Sequence, residues 1–199
     1  MAGTIGAAIV GPTVFHARRR HIACVNAPRG TRRVRTKLRA TWDKLFSRRL
    51  NLVHRFAMPV AVHVVVARGD EVLLLRRFET GYEDGNYSVP AGHLDGDEEV
   101  VTAAIREARE ECGVMVEPAD VRVIGVMHRK SSDERIDFFV RVERWRGEVS
   151  NCEPHKCDEL AWYSLHRLPA NVIPYVRRAL EHPQAGIWFD SMGFEPGQC

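Results

Sequence analysis

Hydrophobic and polar positions form clear patterns only from residue 58 onward. The stretch PVAVHVVVARGDEVLLLRR predicts two strands, at about 59–67 and 71–77, joined by a turn at Gly69 and Asp70. Further apolar runs predict four more strands, at about 87–89, 121–130, 135–145 and 159–165. Helical spacing predicts one helix over about 97–112 and a last one over 171–182 that starts near Pro174. This order predicts an α/β fold with helices packed on a mixed sheet.

The helix predicted at 97–112 has an apolar stripe. The residues of this stripe recur at i, i+4, i+7 and i+11, as on a helix face turned toward a core: Val101, Ile105, Ala108 and Cys112. Asp95 and Glu98 are spaced as a capping box, although Asp97 is a competing cap. Gly113 predicts a left-handed stop.

Three glutamates, Glu107, Glu110 and Glu111, crowd the end of this helix. At about 100° per residue, Glu111 projects between two apolar positions, so we expect it to be partly shielded from water. Like charges at this spacing repel, and the helix dipole disfavours anions in the last turn. Arg106 can reach Glu110 but cannot satisfy three carboxylates, whereas Mg²⁺ prefers such oxygen ligands. The alternative is a solvated acidic face paired with Arg106 and Arg109.

Charge is distributed unevenly along the 199 residues. The net charge is +3, but residues 1–57 hold 13 Lys/Arg and one acid, while residues 58–199 hold 16 Lys/Arg and 25 acids. We therefore predict a basic extension over 1–57, a folded domain over 58–185 and a C-terminal tail over 186–199. An acidic domain disfavours general nucleic-acid binding and suits a site that holds cations.

The basic extension leaves four interpretations open. It is a disordered arm, an organelle transit peptide, a nucleic-acid-binding arm, or translated leader with Met58 as the true start. The first 42 residues are rich in Arg and free of acids, which favours a transit peptide, but they also lack serine. Residues 40–55 are compatible with a short helix.

The cysteines and the apolar runs indicate a soluble, reduced protein. Five cysteines at irregular spacings do not predict a disulfide framework, and a reducing cytoplasm is the simpler compartment. No apolar run reaches the length of about 18 residues that a membrane span needs. Cys152, His155 and Cys157 suggest zinc, but their spacing and number are poor, so an ordinary loop is preferred. The oligomeric state, monomer or homodimer, stays open.

A longer pattern surrounds the glutamates. Its positions are filled by Gly92, Glu98, Arg106, Glu107, Ala108, Glu110, Glu111, Gly113 and Val114. This pattern resembles the Nudix box, the signature of Nudix hydrolases. LLLRR before the box and WYSLHRLP after it are also similar to that family. The resemblance implies an α/β/α sandwich with a mixed β-sheet, and it covers about residues 58–182.

The resemblance also implies roles for individual residues. Glu107, Glu110, Glu111 and the carbonyl of Ala91 would bind Mg²⁺, or Mn²⁺ in its place. Glu107 or another acid nearby would orient or deprotonate water, Arg106 would hold Glu107, and Glu110 would belong to the same catalytic group. Glu98, Gly92 and Gly113 would be structural, since Gly92 allows close approach of the backbone.

Substrate contacts are predicted at six positions that flank the box. Arg76 and Arg77 end a strand that faces the box, so one of them is expected to contact phosphate, and Tyr82 and Tyr87 are expected to stack on a base. Asp158 and Glu159 resemble the acidic base-recognition segment of oxidised-purine triphosphatases. Each of these has an alternative: a solvated strand end, ordinary packing, or a surface acidic turn.

Three functions follow as hypotheses. The first is a Mg²⁺-dependent pyrophosphohydrolase of nucleoside triphosphates, including oxidised ones such as 8-oxo-dGTP, that releases monophosphate and pyrophosphate. The second is the same chemistry on ADP-ribose, dinucleotide polyphosphates or another nucleoside diphosphate conjugate. The third is a catalytically silent ligand sensor with a Nudix-type fold, which the complete set of glutamates disfavours.

Overall fold

Eight strands and two α-helices make up the part of the chain that the structure describes. The computed structural model describes residues 56–183 and 186–194. The strands are β1 (Val60–Arg68), β2 (Glu71–Arg77), β3 (Tyr87–Ser88), β4 (Ala91–His93), β5 (Val121–Lys130), β6 (Glu134–Val142), β7 (Cys157–Ser164) and β8 (Trp188–Met192). The helices are α1 (Val100–Cys112) and α2 (Pro174–Glu181), and a short 3-10 helix spans Pro118–Asp120. Within these ranges, no helix combines the length and apolar character needed to cross a membrane.

Strand β1 lies at the centre of a mixed sheet. It pairs in parallel with β6 from Val60 to Val66, and its start also pairs antiparallel with β4. Its last residues pair antiparallel with β2, which continues the sheet to β3 and β7. On the far side, β6 pairs with β5, and β5 with β8. The predicted mixed sheet is confirmed.

The alternation of side chains along β1 creates two cores, one on each face of the sheet. Val62, Val64 and Val66 pack with the small residues of α1 on one face. Val65, between them, packs on the other face with α2, in a core that contains Tyr175. Since one helix covers each face, the architecture is an α/β/α sandwich, as expected.

The start of α1 differs from the prediction. The helix begins at Val100, and its cap is Glu99, whose side chain accepts a hydrogen bond from the amide of Thr102 at 3.2 Å. The prediction of an Asp95 cap was wrong, and so was its alternative at Asp97. Asp97 has φ 63°, a left-handed value that closes a separate turn before the helix. The amide of Asp95 does donate to Glu98, at 3.0 Å, so half of the predicted box forms.

The buried face of α1 is rotated from the predicted stripe. Ala108 and Cys112 are buried as expected, but Val101 and Ile105 are only half-buried. The other buried residues of the helix are Ala103, Ala104 and Glu107. The rotation follows from the small alanines, which let the helix approach β1 closely, and it turns Glu107 inward. Gly113 ends the helix with φ 71°, as predicted.

Two short strands were not predicted, and one of them lies in the presumed tail. β4 is short and pairs with β1 just before the box helix. β8 pairs in parallel with β5, and Trp188 packs directly on Gly125, where an added Cβ would come within 1.9 Å of the ring. Arg178 of α2 donates two hydrogen bonds to Asp190 of β8, at 2.5 and 2.7 Å.

Most of the other predicted elements are confirmed with small shifts. β2, β5 and the start of α2 at Pro174 agree with the prediction, while β6 ends at Val142 rather than 145. The predictions for residues 1–55, including the helix over 40–55, lie outside the described residues, as do those for residues 195–199.

Candidate functional site

Arg106 organises the acidic end of α1. Its guanidinium donates to both oxygens of Glu98, at 2.9 and 2.8 Å, and to the carbonyl of His93 at 3.0 Å. It also donates to Glu107 at 2.5 Å and Glu110 at 3.2 Å. The hydrogen bond from Arg106 is the main cause that lowers the pKa of Glu98 to about 2. Arg106 is therefore a fixed counter-ion that joins the helix to β4 and the preceding loop.

Glu107 is buried directly above the backbone of Gly92. Its exposed fraction is 7%. A Cβ on residue 92 would come within 1.8 Å of Glu107 Oε1 and 2.2 Å of Cδ, so only glycine fits there without moving the carboxylate. Burial raises the pKa of Glu107, and Arg106 opposes that rise. The predicted close approach at Gly92 is thus explained by a carboxylate pressed against the chain.

Glu111 is shielded at the same end of the helix. Its Oε2 accepts a hydrogen bond from the amide of Ala91 at 3.0 Å. Burial is the main cause that raises the pKa of Glu111 to about 8, and the negative charge of Glu107 adds to it. Burial disfavours the charged form of this carboxyl, and a nearby cation would favour that form. The sequence predicted this shielding from the position of Glu111 between Val100 and Ala104.

The three predicted carboxylates do not converge on one point as they stand. The Glu110 side chain is 54% exposed and turns to Arg106, Glu107 is held by Arg106, and Glu111 by the Ala91 amide. Among the described residues, no three His, Cys, Asp or Glu side chains are placed to hold one metal ion. Carboxylate oxygens are nevertheless the ligand type that a hard divalent cation prefers. To bind one, the side chains of the three glutamates would have to reorient. The role of the Ala91 carbonyl stays a prediction.

A polar cavity of about 190 Å³ opens beside Glu111. Its walls come from β2, β4, the end of α1 and the loop before β7, and they are formed by Leu75, Arg77, Thr80, Ala91, Glu111, Glu153, Lys156 and Cys157. Arg77 is anchored by the carbonyl of Tyr82 at 2.7 Å and by Thr80 at 3.1 Å. The cavity therefore combines acids with a fixed guanidinium, as a site for a cation and a phosphate chain requires.

Glu153 is a site residue that sequence reasoning missed. It lies at the cavity, and its charge contributes to raising the pKa of both Glu107 and Glu111. Two backbone hydrogen bonds place its loop, from Ser150 to the carbonyl of Cys112 and from Cys152 to the carbonyl of Glu111. The only available signal was an acid in the loop that precedes β7, and that segment was considered only for zinc.

The two arginines at the end of β2 lie on opposite faces of that strand. Arg77 shares the cavity with Glu111, whereas Arg76 donates to both oxygens of Asp158, at 2.8 and 3.0 Å. Arg76 also lies 3.5 Å from Glu159. The hydrogen bond from Arg76 lowers the pKa of Asp158. The sequence predicted phosphate contact for one of the two arginines; Arg76 is paired with a carboxylate, whereas Arg77 lines the cavity.

Glu159 connects Arg76 to a pair of tyrosines. Tyr163 donates to Glu159, which lowers the pKa of that carboxyl. The hydroxyl groups of Tyr163 and Tyr87 lie 3.1 Å apart, and their rings meet edge to face at 5.2 Å. Tyr87 is buried, so its ring is not free to stack on a base. Tyr82 is 43% exposed and lies 5.4 Å from the Arg77 guanidinium.

Comparison with known proteins matches this arrangement to one family. The sequence model of the NUDIX domain matches residues 57–183. The chain belongs to the Nudix family of hydrolases. Strand β8 lies beyond the matched Nudix segment.

Curated Nudix relatives differ in their substrates. The NAD-capped RNA hydrolase NudC of Pseudomonas aeruginosa is 34% identical over 119 residues, which are 60% of this chain and 40% of that protein. The 8-oxo-dGDP phosphatase NUDT18 of Mus musculus is 29% identical over 110 residues, 55% of this chain and 33% of that protein. The chain thus spans well under half the length of these relatives.

Solved Nudix structures share the fold. The MutT Nudix hydrolase of Burkholderia pseudomallei superposes with a TM-score of 0.59 and 26% identity, over 63% of this chain and 98% of that one. A Nudix hydrolase of Nitrosomonas europaea has a TM-score of 0.58 at 18% identity, over 71% of this chain and 82% of that one. The second likeness concerns the fold alone.

The cysteines of this Nudix domain do not support the zinc reading. Cys112 and Cys157 are buried and Cys152 is exposed, and all three are free thiols. Burial raises the pKa of the Cys157 thiol above its usual range, which disfavours the thiolate that zinc requires.

Proposed function

We propose that this domain hydrolyses a phosphoanhydride bond of a nucleoside triphosphate, with Mg²⁺ or Mn²⁺, to give the monophosphate and pyrophosphate. The observation that carries the proposal is the cavity in which Glu111, Glu153 and Arg77 meet beside the buried Glu107. Phosphoryl transfer needs positioning and charge neutralisation more than covalent help, and this cavity offers both. The complete set of acids disfavours a silent ligand sensor.

The acids would hold the cation, and Arg77 would hold a phosphate. Glu111 and Glu153 line the cavity, and Glu107 and Glu110 would turn toward it from their contacts with Arg106. A bound divalent cation would neutralise phosphate charge and lower the pKa of coordinated water. Arg77 is fixed by Thr80 and the Tyr82 carbonyl, so its remaining donors can bind a phosphate oxygen without a large loss of freedom.

Glu153 is the better candidate to accept a proton from the attacking water. Glu107, the earlier candidate, is held by Arg106 and pressed on Gly92, whereas Glu153 lies at the open cavity. A general base must reach the water by a hydrogen bond, so access decides between the two carboxylates. Arg106 then acts as a positioning residue, since it fixes Glu107 through the contact at 2.5 Å.

Asp158 and Glu159 are proposed to read the base. They lie at the start of β7, with Tyr163 and Tyr87 as the neighbouring aromatic groups. Carboxylates can accept hydrogen bonds from a purine edge. Arg76 is proposed to position Asp158 rather than to bind phosphate.

Diphosphate conjugates are the second candidate. The NudC relatives, at 34% identity, are named for hydrolysis of NAD-capped RNA. The proposed catalytic cavity would serve that bond equally well, because both substrate classes contain a phosphoanhydride. The base and leaving-group contacts, not the acids, must then decide between them.

A nucleotide panel tests the function. Phosphate and pyrophosphate release should be measured with canonical and oxidised triphosphates, ADP-ribose, NAD and dinucleotide polyphosphates, with Mg²⁺ or Mn²⁺. Glu111→Gln and Glu153→Gln should each lower kcat by roughly 100-fold or more, as expected when a positioned charge is removed. Glu148→Gln, on the same loop and exposed, should retain wild-type rates.

Two results would contradict the proposal. Wild-type turnover in both Glu111→Gln and Glu153→Gln, on every substrate that is hydrolysed, would show that the site lies elsewhere. Faster hydrolysis of the conjugates than of all triphosphates would select the second candidate. Asp158→Asn should change the ratio of kcat/KM between bases while leaving the metal requirement unchanged, which separates the base contact from the cation site.

A further inference from the structure

Lys156 places a positive charge at the proposed cation site. Its ammonium lies 2.8 Å from Glu153 Oε1, and both side chains line the cavity that contains Glu111. Of the two lysines in the described part of the chain, Lys130 is at the far end of β5 and only Lys156 borders this cavity. The pair is thus more than a surface contact between neighbours in sequence.

The geometry of the pair indicates a replaceable contact. Glu153 is 24% exposed, while the Lys156 side chain is 53% exposed and donates to no other described acceptor. Arg106, in contrast, is held by four acceptors, among them Glu98 and the His93 carbonyl. A flexible lysine side chain with a single partner can dissociate from that partner at a small free-energy cost, whereas an arginine with four partners cannot.

We propose that the Lys156 ammonium acts as a placeholder for the divalent cation: it pairs with Glu153 while no cation is bound, and it leaves Glu153 when the cation binds. This inference rests on the proposed function, since it assigns Glu153 to the cation site. The carboxylates near the cavity repel one another unless a positive charge lies among them. Lys156 supplies one such charge, so it lowers the affinity for a free cation by competition and by repulsion. Lys156 is a positioning residue, because it acts through Glu153.

The test is cation affinity measured without substrate. Mn²⁺ should be titrated into the full chain, with free Mn²⁺ followed by electron paramagnetic resonance. Lys156→Met should tighten Mn²⁺ binding by roughly 5- to 10-fold, since it removes a competing charge at close range. Lys156→Arg should remain close to wild type, because it keeps the charge. Lys130→Met is the matched control, because it removes the same charge far from the cavity.

A double-mutant cycle isolates the pair. On a Glu153→Gln background, Lys156→Met should no longer tighten Mn²⁺ binding, because the carboxylate that it competes for is absent. Thermal unfolding of each variant should confirm that the domain remains folded, since neither side chain is fully buried.

The outcomes separate this inference from the proposed function. Unchanged Mn²⁺ affinity in Lys156→Met, or equal tightening in Lys130→Met, would overturn the placeholder while wild-type hydrolysis leaves the proposed function intact. Equal tightening on the Glu153→Gln background would also overturn it. A wild-type chain that neither binds Mn²⁺ nor hydrolyses any nucleotide would overturn both.

Discussion

Gly92→Ala provides a sharp test of the site, because the new methyl group would collide with a single side-chain group. The added Cβ would lie 1.8 Å from Glu107 Oε1 and 2.2 Å from its Cδ. To restore van der Waals contact, the carboxylate must withdraw by roughly 1.6 Å. The obstacle is the end of a side chain rather than backbone, so Glu107 moves and the strand remains in place.

The expected cost is much larger for catalysis than for folding. Withdrawal weakens the Arg106–Glu107 hydrogen bond, and a bond of this charged kind is worth about 1.5–3 kcal/mol. A domain with a typical stability of about 5–15 kcal/mol remains folded after that loss. A misplacement of about 1 Å at a catalytic group, in contrast, costs on the order of 100-fold in rate. We therefore expect kcat/KM to fall by about 100-fold in a folded protein.

The assay combines turnover on the best substrate of the nucleotide panel with circular dichroism and urea unfolding. Gly96→Ala is the control, because its Cβ would meet no heavy atom within 4 Å and its φ is ordinary for any residue. That variant should match wild type in both measurements. Full activity in Gly92→Ala, with native dichroism, would refute the claim that the position of Glu107 matters.

Two further predictions concern stability. Asp137→Asn should lower the free energy of unfolding by about 3–5 kcal/mol, measured in urea, because it leaves the buried Arg129 without its ionic partner. Burial alone would raise the pKa of Asp137, but His63 and Arg129 hold it below its usual range. That stabilisation is present above about pH 4 and is lost as the pH falls through the native pKa; acid unfolding unchanged in Asp137→Asn would contradict this. Gly125→Ala should displace the Trp188 ring and destabilise the domain by about 1–3 kcal/mol, seen as a change in tryptophan fluorescence; an unchanged spectrum would contradict the packing of β8 on β5.

The sequence predicts the box because its contacts are local. Arg106 reaches Glu107 and Glu110 within one turn of a helix, and Glu98 lies at the start of the same segment. Helical geometry alone brings these groups together. The shielding of Glu111 likewise followed from angular position on the helix. Where spacing along one element fixes a contact, the pattern was sufficient.

Contacts between distant segments were not predictable in the same way. Glu153 approaches the end of α1 because two backbone hydrogen bonds join its loop to the helix. The hydrophobic pattern of the sequence does not predict these hydrogen bonds. Alternation along β2 implies that Arg76 and Arg77 diverge, but not which of them faces the box. β8 was missed because five residues after a helix gain their strand geometry only by pairing with β5.

The carboxylates near Arg106 and the carboxyl of Glu111 differ in how they are paired with positive charge. Arg106 donates to Glu98, Glu107 and Glu110, and its hydrogen bond to Glu98 lowers the pKa of that carboxyl. The raised pKa of Glu111 shows the opposite, since its single described hydrogen-bond donor is the Ala91 amide and no guanidinium pairs with it. The carboxyl group that has no described ionic partner is therefore that of Glu111, at the C-terminal end of α1, in the cavity that Lys156 also lines. A cation bound at Glu111, as we propose, would leave the Arg106 contacts to Glu98 and to the His93 carbonyl in place, so the helix would keep its position.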